Sequence, residues 1–358
     1  MTDIAIVGAG MAGASLAAEL AGHTSVLILE AESQPGFHST GRSAAFWSES
    51  YGGPLIQPLT AASGPALAAQ GFLRPRGAIH LAEAGGEKAL AALASAFAGL
   101  AMERLGRAAL ERAIPGLRPG WNEGLAEPSC ADIDVAGLHA ACLKRAKAGG
   151  AALVTDARLE RAERIGGRWH IETGAGPFEA DVLVNAAGAW ADEIARRCGE
   201  RPIGIAPYRR TIIQLRIDPP APAALPLVVD AGGRFYFKPE AGGRLWLSPH
   251  DEALCEAGDC APEELDVAIA IDRLEKVVDW RIERVERKWA GLRSFAPDRL
   301  PVYGFSNSGS GFFWCAGQGG FGIQTAPAAA AMAAALLLGT GSGPIDPAPY
   351  AAGRFAAA

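Results

Sequence analysis

Two glycine turns and one arginine in this chain have the residue types and spacing that do chemistry. The first turn is Gly8-Ala9-Gly10-Met11-Ala12-Gly13, a G-x-G-x-x-G string in which each glycine has a steric task. Gly8 permits the tight turn, Gly10 lets backbone approach a pyrophosphate, and Gly13 lets the following helix pack closely on the strand. The helix start then offers free N–H groups and a partial positive charge to the phosphates. Glu30, twenty-two residues after Gly8, stands where a carboxylate accepts hydrogen bonds from adenosine ribose hydroxyls, which argues against a 2′-phosphate. The second turn, Gly317-Gln318-Gly319-Gly320-Phe321-Gly322, also empties from an apolar run towards a helical one. The arginine is Arg293. It follows Trp289-Ala290-Gly291-Leu292, and a guanidinium that close to a buried segment needs an anion partner. A bidentate carboxylate fits its geometry; an internal salt bridge with a nearby acid such as Asp298 is the alternative.

Periodicity shows the elements that must position these groups. Residues 3–7 run apolar into the first turn, 14–21 continue as a helix, and 25–29 form a strand leading to Glu30. Asp134 is placed to cap a helix over 135–147 that Gly149-Gly150 ends. Residues 152–155 read as a short strand, and 161–165 with 169–173 alternate as a hairpin around Gly166-Gly167. Residues 181–185 are a buried strand running into Ala186-Ala187-Gly188-Ala189-Trp190, a small-residue turn that returns the chain to the nucleotide layer. Between these pieces, 210–216, 234–239 and 244–249 read as antiparallel strands, 218–226 as a proline-rich loop, and 262–278 as an amphipathic helix. The expected fold is α/β: a nucleotide-binding layer interrupted by inserts that build a second, sheet-containing domain.

Two glycine turns feeding helices suggest two anionic ends of one long ligand. The first would hold a pyrophosphate. The second would aim the start of a helix over 328–338 at the N1/C2 carbonyl region of a flavin ring, where charge gathers on reduction; a tight strand–helix packing joint is the alternative. A single G-x-G-x-x-G leaves no second module for a nicotinamide, so electrons are expected to enter from the substrate. The C-terminal Gly-Asp motif of ring-hydroxylating flavin monooxygenases is not found.

With 358 residues, an interleaved pair of domains is the natural expectation. A hydrophobic content of 49% and a net charge of −6 give no reason to expect nucleic acid or an anionic membrane as partner. The six cysteines form no C-x-x-C pair and no Cys/His metal spacing, so no metal is expected and a reduced, cytoplasmic setting is. Met-Thr-Asp lacks the basic start of a signal peptide, and the apolar run 326–338 is too short to span a bilayer.

Longer motifs then carry a resemblance. HSTGRSAA from 38, with Tyr51-Gly52 and Leu59-Thr60 after it, resembles the FAD-dependent D-amino acid oxidase and dehydrogenase family, most closely its D-arginine dehydrogenase branch. So do VLVNAAGAWAD from 182, PYRRT from 207, FYFKP from 235, WAGLRSFAPD from 289 and GFFWCAGQGGFGIQT from 311. The resemblance implies a Rossmann-type FAD-binding domain, of glutathione-reductase and D-amino acid oxidase type, interleaved with an α+β substrate domain containing an antiparallel sheet. The expected shares are 1–72, 132–200 and 288–358 for the first and 73–131 and 201–287 for the second. By motif match, Arg210 and Arg293 clamp the substrate carboxylate with Tyr236 as hydrogen-bonding neighbour, and Tyr51 is a lid or wall residue. Arg42, Ser43 and Ala44 run along the flavin. Ala187, Gly188 and Trp190 join Gly8, Gly10, Gly13 and Glu30 at the cofactor, and Gly319, Gly320, Gly322 and Gln324 fall on the flavin-ring loop. Strand alternation says only that Arg209 and Arg210 face opposite ways.

The implied reaction is oxidative deamination of a D-amino acid by hydride transfer from Cα to the N5 of non-covalent FAD, giving a 2-oxo acid and ammonia, with oxygen or a quinone as reoxidant. Where the arginine-specific branch has an acid, this chain has Gly77, with Arg76 and His80 nearby. The expected side chain is therefore neutral, apolar, aromatic or acidic rather than cationic. A glycine- or sarcosine-type oxidase of secondary amines is the alternative enzyme, and a flavin-fold binding protein without turnover the alternative of another class.

Overall fold

The computed structural model describes residues 2–341 and 343–355. The apolar run Thr2–Val7 lies centrally in a sheet, paired in parallel with Val26–Leu29 on one side and Gly176–Asn185 on the other. Val26–Leu29 pairs onward with Ala152–Val154, and the end of Gly176–Asn185 with Phe312–Ala316, again in parallel. Near-continuous apolar strands suit a sheet buried on both faces. One face packs Ile4, Ile6 and Ile28 against Leu16, Leu20, Ala329 and Met332 of the helices Met11–Leu20 and Ala326–Leu338. The other packs Ala5, Val7 and Leu29 against Trp169, Ile171 and Ile194.

Local signals set several boundaries. Asp134 caps the helix Val135–Ala148 by accepting the Gly137 N–H at 2.9 Å. Gly166 and Gly167, at φ of 61° and 87°, turn the hairpin Leu159–Ile165 to Arg168–Thr173. The second amphipathic stretch forms the helix Glu264–Glu275, shorter at both ends than its periodicity predicts.

The inserts form a second sheet of nine strands. At its heart Ala206–Asp218 pairs antiparallel with Arg281–Phe295 on one edge and Arg244–Ser248 on the other; Tyr236–Glu240, Leu227–Asp230, Ala78–Glu83 and Trp121–Glu127 follow in order. Arg281–Phe295 runs through position 288, where the sequence reading drew a domain boundary. Its pairing with Ala206–Asp218 extends from Arg281 to Phe295, and no turn residue interrupts it there. A small three-stranded sheet, Phe46–Trp47, Leu73–Pro75 and Ala131–Ile133, lies apart from both large sheets.

The parallel strands deliver Val7, Leu29, Asn185 and Ala316 to one edge, immediately before Gly8, Glu30, Ala186 and Gly317. The crevice outside the carboxyl ends of such strands is where open α/β sheets bind ligands. Among the described residues no helix is long and apolar enough to cross a membrane, and no His/Cys/Asp/Glu group could hold a metal.

Candidate active site

The first glycine turn has the geometry its spacing implies. Gly8 sits at φ 103°, and a Cβ there would come within 2.6 Å of the Ala186 carbonyl oxygen. At Gly13 a Cβ would lie 1.9 Å from the Gly8 carbonyl oxygen, so the helix packs on the turn at a distance only glycine allows. At Gly10 a Cβ would meet only Thr40 Oγ1, at 3.4 Å, leaving the backbone open to the channel it lines. Glu30 is buried; its carboxylate accepts the Ala9 N–H at 2.8 Å and the Glu32 N–H at 3.0 Å, and each oxygen keeps a lone pair for a ligand hydroxyl.

Sequence reading missed two supports of this turn. His139 Nε2 donates to the Ala9 carbonyl oxygen at 2.8 Å, and its ring lies where a side chain at Gly36 would stand. Thr40 Oγ1 accepts the Met11 N–H at 2.9 Å. A lone histidine on a helix and a threonine in a loop carry no local signal of either contact.

From the turn a single channel, partly open to solvent, runs to the antiparallel sheet. A lining that is shared by the turn and by a distant sheet suits an extended ligand. Ser43, Ala44, Ala187, Gly188 and Trp190 line it, as do Gly319, Gly320 and Gly322. Arg210, Tyr236 and Arg293 also line it, well separated in sequence from the turn.

The three last residues are brought together by the antiparallel sheet. Arg210 is 3% exposed; its Nε donates to the Asp251 carbonyl oxygen at 2.8 Å and its Nη2 to Glu252 Oε1 at 3.2 Å, but its Nη1 is buried without a partner among the described residues. Arg293 meets no carboxylate among the described residues; its Nη1 donates to the Tyr51 hydroxyl at 2.6 Å. Asp298, the alternative partner for Arg293, pairs with Arg354 instead. Arg209 faces the other way, onto Glu263 and Asp266, so alternation resolves in favour of Arg210. A Cβ at Gly320 would lie 3.0 Å from Arg293 Cζ and from the Tyr51 hydroxyl, which makes the second glycine turn the space in which the clamp sits.

A model of the FAD dependent oxidoreductase family matches residues 3–336. The chain belongs to this family. Among curated relatives it is 30% identical to a glycine oxidase of Pseudomonas putida over 184 residues, 51% of this chain and 48% of the relative. The chain thus matches about half the length of that relative. In structure it resembles glycine oxidase from Geobacillus kaustophilus, with a TM-score of 0.84 at 24% identity over 98% of both chains. It also resembles L-proline dehydrogenase from P. horikoshii, with a TM-score of 0.84 at 21% identity over 96% of this chain and 94% of the other.

The cofactor of this family is FAD, and the residues present fit it: an open glycine backbone at Gly10, a carboxylate with spare lone pairs at Glu30, and an unbroken channel from there to the cation pair. Two expectations need correction. The first residues of the helix Ala326–Leu338 do not line the channel. An extra turn over 321–325 intervenes; Gly319, Gly320, Gly322 and Ile323 line the channel, while the Ala328 N–H is taken by Ser63 Oγ at 3.1 Å. Gln324 is not on the channel wall; it is buried and bridges Tyr51, Thr60 and Ser48. Tyr51 is half-buried, its ring edge-on to Phe46 and Phe321 and its hydroxyl on Arg293. Arg42 lines the channel as expected, with its guanidinium held by Asp259 and the Ala290 carbonyl oxygen.

Charge at the clamp is strongly coupled. Burial, and next the Arg293 charge, lower the Arg210 guanidinium from its ordinary value. Burial raises the Tyr236 hydroxyl above the usual phenol range, against the pull of both arginines, so it is a neutral donor. His250, whose ring meets Tyr236 edge-on, is pushed down to about 3 by burial and then by Arg210 and Arg293. Its Nδ1 donates to the Gly233 carbonyl oxygen from a backbone φ of 57°.

At the position of the arginine branch's acid, Gly77 has open space around it and Arg76 is neutralised by Asp132. His80 is buried against Ser50 and Glu127.

Proposed function

We propose that the chain is a flavoenzyme that oxidises a free D-amino acid with a neutral side chain at its Cα–N bond. The imine product hydrolyses to a 2-oxo acid and ammonia. One observation carries this reading: two guanidiniums converge on the channel, one with a buried Nη1 that no group of the described residues satisfies. A buried, unpartnered donor on a cation is costly, and a ligand carboxylate satisfies it.

FAD, when bound, supplies the acceptor for the two electrons. The chain supplies orientation. Arg210 and Arg293 take the carboxylate, Tyr236 donates to it, and the Cα–H bond is thereby fixed relative to the flavin ring. Ile212 and Leu292 add apolar wall beside the clamp. No carboxylate there is free to bind a cationic side chain: Glu252 is shared by Arg210 and Arg299, and Asp251 is held by Thr211. The D configuration follows the motif resemblance. Similarity to glycine oxidase supports a second reading, in which glycine or an N-methyl amine is oxidised in the same clamp.

Anaerobic mixing of the yellow protein with glycine, sarcosine, D- and L-alanine, D-phenylalanine, D-glutamate and D-arginine tests both. Bleaching of the flavin absorbance within seconds by neutral D-amino acids is the expected result. Bleaching by glycine and sarcosine alone selects the second reading, and no bleaching by any of them supports a binding protein without turnover. Acid precipitation is expected to release all the colour, since residues 289–298 contain no cysteine for covalent attachment. Reoxidation by dissolved oxygen or by a soluble quinone then distinguishes oxidase from dehydrogenase.

A further inference from the structure

We propose that Glu127 is a positioning residue for the carboxylate clamp, holding residues 48–50 so that the Tyr51 hydroxyl meets Arg293. The inference rests on the reading that Arg293 binds the substrate carboxylate.

Glu127 ends the strand Trp121–Glu127 and is 0% exposed. A buried carboxylate persists only where donors surround it, and here there are four. Oε1 accepts the Glu49 N–H at 2.8 Å; Oε2 accepts the Ser48 hydroxyl at 2.9 Å, the Ser50 hydroxyl at 2.5 Å and His80 Nε2 at 3.3 Å. Three of the four donors belong to consecutive residues directly before Tyr51. That segment follows the short strand Phe46–Trp47 and lies in neither large sheet nor any helix. Gln324 also grips it, accepting the Ser48 N–H at 3.2 Å and donating to the Tyr51 carbonyl oxygen at 3.1 Å. Between these two grips the Tyr51 side chain leaves for Arg293, reaching it at 2.6 Å.

Only a carboxylate does this with one side chain, because it accepts at both oxygens and donates at neither. A glutamine would turn an N–H₂ towards at least one of the donors. Glu127 touches neither the channel nor the clamp directly, so its influence on a ligand must pass through Tyr51.

The test is a double-mutant cycle on the FAD-loaded protein. Propionate presents a carboxylate alone, and its Kd is read from perturbation of the flavin spectrum. Glu127→Gln is expected to weaken propionate at least tenfold while the Kd for FAD changes less than twofold. Tyr51→Phe is expected to weaken it comparably, and adding Glu127→Gln to Tyr51→Phe to cost less than a further twofold. Multiplying effects, an unchanged propionate Kd in Glu127→Gln or in Tyr51→Phe, or an equal loss of FAD affinity overturns the proposal. Should Glu127→Gln not yield yellow protein, Ser50→Ala, which removes one donor, enters the same cycle with an expected threefold effect and the same overturning results. Arg293→Ala separates the two levels: unaltered propionate binding there sinks the clamp itself, whereas a large loss there with multiplying effects at Glu127 and Tyr51 sinks only this inference.

Discussion

Arg210 and Arg293 stand diagonally on one face of two paired antiparallel strands, with Tyr208 opposite Arg293 and Gly291 opposite Arg210. Side chains in this relation lie about 7–8 Å apart at their origins, within reach of one small anion between long side chains. Two like charges in a largely buried site repel, and a carboxylate between them removes both the repulsion and the unsatisfied Nη1 of Arg210.

Losing a desolvated arginine–carboxylate contact costs about 2–5 kcal/mol, and each 1.4 kcal/mol is about tenfold in rate. Arg293→Ala and Arg210→Ala are therefore expected to lower kcat/KM by at least about tenfold with the flavin retained. Arg209→Ala breaks contacts to Glu263 and Asp266 on the other face and is expected to lower Tm while leaving the KM for the amino acid within about twofold. Steady-state kinetics and flavin content on the three variants check this.

Gly320→Ala places a methyl 3.0 Å from Arg293 Cζ and the Tyr51 hydroxyl. The guanidinium must shift, so weaker substrate binding is expected without loss of FAD. A wild-type KM in this variant would show that the clamp relaxes freely.

The glycines of the first turn should separate fold from ligand. Gly13→Ala drives a methyl to 1.9 Å from the Gly8 carbonyl oxygen, a backbone clash that cannot relax locally, and little folded protein is expected. Gly10→Ala meets only Thr40 Oγ1 at 3.4 Å, so folded protein with weakened FAD binding is expected. Yield and FAD titration distinguish the two.

His250 titrates at about 3 in the folded chain against 6.5 for an unperturbed histidine. Because its folded value is the lower one, the unfolded chain binds the proton first as pH falls. Stability present above pH 6.5 is then lost progressively towards pH 3. His250→Asn, which tolerates the φ of 57°, is expected to lose less Tm than wild type between pH 7 and pH 5. Equal losses would show that His250 is not held neutral.

Several features were legible because they are local. Gly8, Gly13 and Glu30 mark the nucleotide turn, Asp134 caps its helix, and Gly166-Gly167 turns its hairpin, each through sterics or hydrogen bonds within a few residues or one strand–turn–helix unit. The cation pair was legible only through motif resemblance, since nothing about Arg210 and Arg293, eighty-three residues apart, announces that they share a face.

What the chain's order of residues determined by itself is the nucleotide layer: apolar strands, small residues at their carboxyl ends, and an acid at the second strand's end. Only the tertiary structure decided which of Arg209 and Arg210 faces the channel, because the acids that claim Arg209 come from another element. It likewise withdrew Gln324 from the channel wall and brought Glu127 and Gln324 onto the 48–51 segment. The physical reason is the same in each case. A polar group's partner is whatever donor or acceptor packing brings within about 3 Å, and that is a property of the assembled sheets.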